Sequence, residues 1–435
     1  MKRTMRRLGR IPALGLMGLT LLLALAGCGG AEERERQGSA ARPVSEWRTW
    51  VIPSPASVHV EPPPAGLSSP SEPDGPPAVV PWIEMSMDLV SRRTKDPPES
   101  SRAYAYVSVA MFDAAVAAAH WQERFGDPGY PSLRAAVAGA AAGVLPELYP
   151  ERSAASFEAE ARRTAGSGPA AEAGLALGAD VAAAVNARAR TDGYGDRWRG
   201  RVPAARGRWA PPPGSLARPV QPLAGRWRTW LLESGRELRP DPPPAFESAA
   251  FRAEAQEVVD VGRRLTPERK KLAEFWSGGE GTPLPAGIWN QILLRYTSRE
   301  HWGTAQTARA LALLNVALAD AGIAAWDAKY AYWSPRPENA IRDLGLARDW
   351  KPLLDTPFFP AYVSGHATYS GAAGELLAHL FPRDAALIRA KAREAAESRV
   401  WGGIHYRSDG VIGQRMGREI GRLAVRRAER DEVEE

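Results

Sequence analysis

Three short clusters in the last third of the chain could together hold one tetrahedral oxyanion, such as vanadate or phosphate. They are Lys329 with Arg336-Pro337, Ser364-Gly365-His366, and Ser398-Arg399 with His405. An anion carrying two or three negative charges needs several fixed cations and directed donors. Arg336 and Arg399 offer planar forks that grip two oxygens at once, whereas Lys329 brings a mobile point charge suited to polarising one oxygen. Taken singly, each of these side chains is more often solvated or structurally paired. Their combination points to a site.

The elements that must position them follow from local sequence. Ser364-Gly365-His366 precedes a helix whose apolar residues Tyr369, Ala373, Leu376, Leu377 and Leu380 keep a 3.6-residue period, so the anion would lie near free N–H groups at a helix N-terminus. Ser364 adds a hydroxyl donor, and Gly365, without a Cβ, lets its N–H approach closely. Lys329 and Arg336 are spaced to share a helical face, but Pro335 and Pro337 end continuous helix at about Trp333 and place Arg336 on a turn. Gly402-Gly403 breaks the chain between Arg399 and His405, so that a helix end and a loop can converge on one ligand.

From Val79 onward the text is helical and rich in alanine, with runs over Ser101 to His120 and at about 133–147, 153–166, 169–190, 249–277, 286–298, 302–332, 366–381 and 384–400. β-Branched alternation is nearly absent, which predicts a mainly α bundle with long irregular loops. Residues 193–246 read as a wrap-around loop anchored by Trp198, Trp209, Trp227 and Trp230. No internal repeat with a fixed period is seen. His59, His120, His301 and His379 lack a partner motif and are expected to be structural.

Residues 1–27 combine five cations with an apolar run from Ile11 to Ala26, and Leu25-Ala26-Gly27-Cys28 resembles a bacterial lipoprotein signal with its lipobox. Cleavage and acylation at Cys28 would anchor the protein to a membrane surface outside the cytoplasm. Residues 28–78, rich in Pro, Ser and Glu, read as a tether, and 79–435 as the catalytic domain, with Trp47 and Trp50 candidates for docking on it. Cys28 is the only cysteine, so no disulfide or thiolate metal site is expected. The net charge of +6 rests largely on Lys2, Arg3, Arg6, Arg7 and Arg10, so the mature chain is near neutral and a nucleic-acid partner is not expected.

In order and spacing, the three clusters resemble the signature shared by vanadium-dependent haloperoxidases, class A acid phosphatases and PAP2 lipid phosphatases. The resemblance runs from about Val79 to Gly421, and includes Ser101-Arg102-Ala103-Tyr104, Phe275-Trp276 and Trp289-Asn290-Gln291 of haloperoxidase type. It implies a helical bundle binding vanadate as cofactor. His405 would ligate the metal, Lys329, Arg336, Ser364, Gly365 and Arg399 would hold the oxygens, and His366 would be the acid–base group, with hydrogen peroxide and halide as substrates. In the phosphatase reading His405 attacks a phosphomonoester, His366 protonates the leaving group, and no cofactor is needed. A third reading is a non-catalytic lipoprotein that binds phosphate or a partner. Trp326 and Phe359 resemble the halide-pocket aromatics of the chloroperoxidase branch. Val363 stands where proline is usual and Pro335 where an aromatic is common, and Glu280 falls where an aspartate often orients an anion-binding arginine.

Overall fold

The structure is a computed structural model that describes residues 42–71, 75–92, 96–212 and 215–432; the signal-like segment 1–27, Cys28 and the tether as far as Ala41 lie outside the described residues. In chain order the helices are α1 (Val80–Ser91), α2 (Pro97–Phe125), α3 (Leu133–Leu148), α4 (Ala154–Ala165), α5 (Pro169–Arg190), α6 (Ala249–Arg263), α7 (Pro267–Phe275), α8 (Leu284–Arg299), α9 (Thr304–Tyr332), α10 (Pro337–Asp343), α11 (Gly365–Leu380), α12 (Ala385–Trp401) and α13 (Arg407–Glu432). No strand occurs among the described residues, and the fold is the mainly α bundle that the sequence predicts. Helices α2 and α9 pack together at its centre. Both are long and apolar enough to cross a membrane, but 89% and 94% of their most apolar stretches are buried inside the protein, as core helices require.

Three features differ from the sequence reading. The run expected at 249–277 is two helices, because Thr266 caps α7 through the Arg269 N–H (3.3 Å) just ahead of Pro267. The expected tether is packed from Arg42 onward and not only at the docking candidates: Trp47 does stack on Phe112 at 6.2 Å, but Ile52, Val58 and Val60 are buried as well. These scattered apolar residues find a surface only once α2 exists, so composition alone conceals them. Helix α13 is absent from the expected pattern because it is arginine-rich and glycine-interrupted. Its glycines fit against α11, where a Cβ on Gly413, Gly417 or Gly421 would meet the carbonyls of Ser364, Thr368 or Ala372 at 2.8, 2.1 and 2.7 Å.

The chain also repeats itself, with a spacing that lengthens along it. Trp47-Arg48-Thr49-Trp50 recurs as Trp227-Arg228-Thr229-Trp230. The N–H groups of Trp50, Val51 and Ile52 donate to Asp113 on α2 at 2.8, 2.8 and 3.2 Å; those of Trp230, Leu231 and Leu232 donate to Asp320 on α9 at 2.9, 2.7 and 2.9 Å. Each turn is clasped by the other half: Arg427 lies over Trp50 at 4.9 Å, and Arg188 over Trp230 at 3.9 Å. Arg102 pairs with Asp192 at 2.6 Å, and Arg309 approaches Asp431 at 3.7 Å. A Cβ on Gly174 or Gly178 of α5 would strike the carbonyls of Ser132 or Ala136 at 2.4 and 2.2 Å, as Gly413 and Gly417 would strike Ser364 and Thr368. Helices α2, α3, α4 and α5 are therefore matched by α9, α11, α12 and α13 as two copies of one helical scaffold, with α10 an addition of the second copy.

Candidate active site

Helix α9 ends at Tyr332, and Trp333 takes the left-handed conformation (φ 52°) that terminates it. Lys329 thus sits in the last helical turn, and Arg336 is the N-cap residue of α10. Ser364 caps α11, accepting from the Ala367 N–H at 3.4 Å and keeping its own proton free to donate. Gly365 and His366 form the first turn, where N–H groups have no intrahelical acceptor. Gly365 has a packing reason as well: a Cβ there would lie 3.3 Å from the Trp326 ring. Arg399 lies in the last turn of α12, and Gly402 with Gly403 (φ 75°) turns the chain so that His405 faces back.

Lys329 is not the mobile charge expected from sequence. Its Nζ donates to the carbonyls of Pro360, Ala361 and Val363 at 2.9, 2.9 and 2.6 Å, which uses all three ammonium protons. A fully buried ammonium must saturate its donors, and the chain just before Ser364 supplies the acceptors.

The arginines are likewise held by main chain. Arg336 donates through Nε to the Phe359 carbonyl at 2.7 Å and through Nη1 to the Ile404 carbonyl at 2.7 Å, and Nη1 lies 3.1 Å from Nε2 of His405. Arg399 donates to the carbonyls of Trp276 (3.2 Å) and Ala273 (2.9 Å). Nε2 of His366 is 3.1 Å from both the Ser277 carbonyl and Nη1 of Arg399, and one ring nitrogen serves only one of them at a time. His366 is also the one member of the seven-residue cradle that is partly exposed.

His405 has a partner not recognised from sequence. Its Nδ1 lies 2.8 Å from Oδ2 of Asp409, which also accepts the Tyr406 N–H at 3.0 Å. The only sequence signal was an acid four residues beyond the histidine. The pair fixes the ring and leaves Nε2 facing the cations.

Electrostatically, the buried carboxylate of Asp409 faces two of the three buried cations, Lys329 and Arg336. Burial pushes Asp409 up to about 7 against the pull of the Tyr406 N–H, Lys329 and Arg336. Burial lowers Arg336 to about 10; burial, then Arg336, lowers Arg399 to about 9. Burial and then Arg336 pull Lys329 down, Asp409 opposing them, and burial with the neighbouring cations holds both histidines well below their ordinary range. Arg336 Nη2 and Arg399 Nε are buried and have no hydrogen-bond partner among the described residues. An excess of buried cations with unspent donors fits an oxyanion. No group of three His, Cys, Asp or Glu side chains able to cage a metal cation occurs among the described residues.

Trp326 and Phe359 are joined at 4.8 Å beside the cradle, with Lys329 Nζ 5.6 and 5.2 Å from their rings and the Arg336 guanidinium 4.8 Å from Phe359. The Trp326 indole donates to the Val220 carbonyl (3.2 Å), so residues of the wrap-around loop fasten this wall. Glu280 does not take the acidic position beside an arginine. It is exposed, and Arg399 is oriented by carbonyls at the end of α7.

The family model of the VCPO second helical-bundle domain matches residues 309–391 and 386–431, the second scaffold copy. The chain is 27% identical over 192 residues to the vanadium chloroperoxidase of Curvularia inaequalis; the match covers 36% of this chain and 32% of that relative. A bacterial vanadium-dependent iodoperoxidase structure superposes with a TM-score of 0.70 at 26% identity, over 82% of this chain and 98% of that one. A holo-type bacterial vanadium-dependent chloroperoxidase shares the fold, with a TM-score of 0.64 at 18% identity over 85% and 99% of the two chains. Over its second scaffold copy the chain is similar to the VCPO helical-bundle family, and over most of its length it shares the fold of bacterial vanadium-dependent haloperoxidases.

Proposed function

We propose that the protein is a vanadium-dependent haloperoxidase that converts hydrogen peroxide, a halide ion and a proton into hypohalous acid and water. The observation that carries this reading is the buried cationic cradle with unspent guanidinium donors around a His405 ring pinned by Asp409. The similarity to the iodoperoxidase over nearly that whole chain supports the oxidative branch. Vanadate, when bound, would supply a Lewis-acidic centre that polarises peroxide.

Arg336, Ser364, Gly365 and Arg399 would hold its oxygens, and His405 would offer Nε2 as the one protein ligand. Lys329 acts as a fixed charge, because its protons are already donated to carbonyls. His366 sits where solvent reaches the cradle and moves a proton there. Trp326 and Phe359 exclude water on the Lys329 side, strengthening attraction between the cations and a halide. The lipobox-like sequence at Cys28 supports an extracytoplasmic protein anchored by lipid. Loss of membrane association in Cys28→Ser tests that placement.

The decisive experiment loads the full chain with vanadate and follows peroxide-dependent oxidation of iodide, bromide and chloride, with aryl phosphate hydrolysis measured alongside. Halide oxidation that requires vanadate supports the proposal. Phosphate-sensitive hydrolysis without halide oxidation would overturn it in favour of a phosphomonoesterase working through His405. Vanadate binding without either reaction would leave an oxyanion-binding protein.

A further inference from the structure

Two members of the cradle, on different helices, are gripped by one short stretch of main chain. Arg399 on α12 donates to the carbonyls of Ala273 and Trp276 at 2.9 and 3.2 Å, and His366 at the start of α11 meets the Ser277 carbonyl at 3.1 Å. The last carbonyls of a helix lack intrahelical donors, so the end of α7 presents acceptors that aim a guanidinium without neutralising it. A carboxylate in that place would aim Arg399 but also cancel much of its charge toward an incoming anion. The carbonyl turn leaves that charge available.

The turn is placed by Trp276. Its ring is 2% exposed and packs on Trp289 at 5.7 Å, and its indole N–H donates to Oε1 of Glu394 at 2.8 Å. Glu394 lies on α12, the helix whose last turn carries Arg399. The connection therefore closes on itself: α12 holds the turn through Glu394, and the turn orients Arg399 and meets His366. We propose that Glu394 and Trp276 are positioning residues of the oxyanion site, their hydrogen bond fixing the carbonyl turn that orients Arg399 and His366. Neither touches the bound anion. The inference rests on the oxyanion reading of the cradle.

The test measures binding of vanadate, and separately of inorganic phosphate, to the full-length apoprotein of the wild type, Glu394→Ala, Glu394→Gln and Trp276→Phe, with thermal unfolding of each. Loss of an outer partner of this kind weakens binding on the order of 10-fold to 100-fold. Glu394→Ala and Trp276→Phe are expected to show that loss. Glu394→Gln, whose amide oxygen can still accept the indole proton, is expected to stay within about threefold of wild type, since a neutral acceptor costs only a fraction of a hydrogen bond. Wild-type affinity in folded Glu394→Ala, or equal losses in Glu394→Ala and Glu394→Gln, would overturn the proposal. Should Glu394→Ala fail to fold, Trp276→Phe against Glu394→Gln decides by the same criterion. Failure of the wild type to bind either anion would instead sink the oxyanion reading itself.

Discussion

In the first scaffold copy, Gln122, Ser132, Leu133, Arg134 and Ala170 stand where the second has Lys329, Ser364, Gly365, His366 and Asp409. The bonds that shape the main chain are the same in both. Gln122 donates to the Pro131 carbonyl at 2.8 Å, as Lys329 does to Val363 at 2.6 Å. The Ser132 N–H donates to the Ala170 carbonyl at 2.9 Å, as the Ser364 N–H does to Asp409 at 3.0 Å. A capped helix start against a glycine-lined neighbour is thus a scaffold feature present without a cradle. What the second copy adds is buried charge and an imidazole with a fixed partner. Lys329 accordingly does two jobs, one shared with Gln122 and one that needs its charge.

The comparison breaks most readily at His405. His405→Ala should lower turnover by at least about 1000-fold, within the range seen when a positioned acid–base or ligand group is removed, while weak vanadate binding persists in the cations. Unchanged turnover of vanadate-loaded protein would show that the second copy's additions are not its chemistry. Lys329→Gln gives the second copy the first copy's residue. The bond to Val363 can survive and the charge cannot, so turnover should fall roughly 100-fold to 1000-fold, as for loss of one preorganised electrostatic donor. Steady-state kinetics at saturating vanadate read this effect.

The shared scaffold predicts equal responses where the copies match. Asp113→Asn and Asp320→Asn should each cost about 1–3 kcal/mol, because one of three buried N–H donors then meets an amide group instead of an oxygen; denaturant unfolding measures this. Burial pushes both carboxyls from 3.8 up to about 6, against the N–H groups they accept. Between those values the folded state keeps protons that the unfolded chain has lost, so their contribution is fully present below pH 3.8 and is lost as pH rises through 6. Each Asn variant should flatten that dependence to a similar degree, and a flattening confined to one would argue against equivalence. The smallest effect on anion binding is expected at Arg134→Ala, which should leave vanadate affinity within about twofold, despite standing where the other copy has His366. A clear loss of vanadate binding there would mean that both copies carry anion chemistry.

Much of the site was legible from residue type and spacing. Arg336 on a turn, Ser364-Gly365-His366 at a helix start and the break at Gly402-Gly403 all follow from proline, glycine and capping chemistry, which act within a few residues. The duplication was not legible by period. Equivalent positions drift apart along the chain, from Trp47 and Trp227 to Asp113 and Asp320, then to Ser132 and Ser364, and to Asp192 and Asp431. Asp409 was hidden because an acid four residues past a histidine is ordinary until both are seen buried together.

By itself, then, the sequence determined the helical class and the inventory of charges able to meet an oxyanion, since periodicity, caps and side-chain chemistry are local properties. The tertiary structure decided how those charges are held. Lys329 is pinned by three carbonyls, Arg336 by those of Phe359 and Ile404, and Arg399 by the end of α7 where Glu280 had been the candidate. Every residue type carries a backbone carbonyl, so such partners leave no mark in the sequence. Only the path of the chain through space shows which carbonyls a buried cation meets.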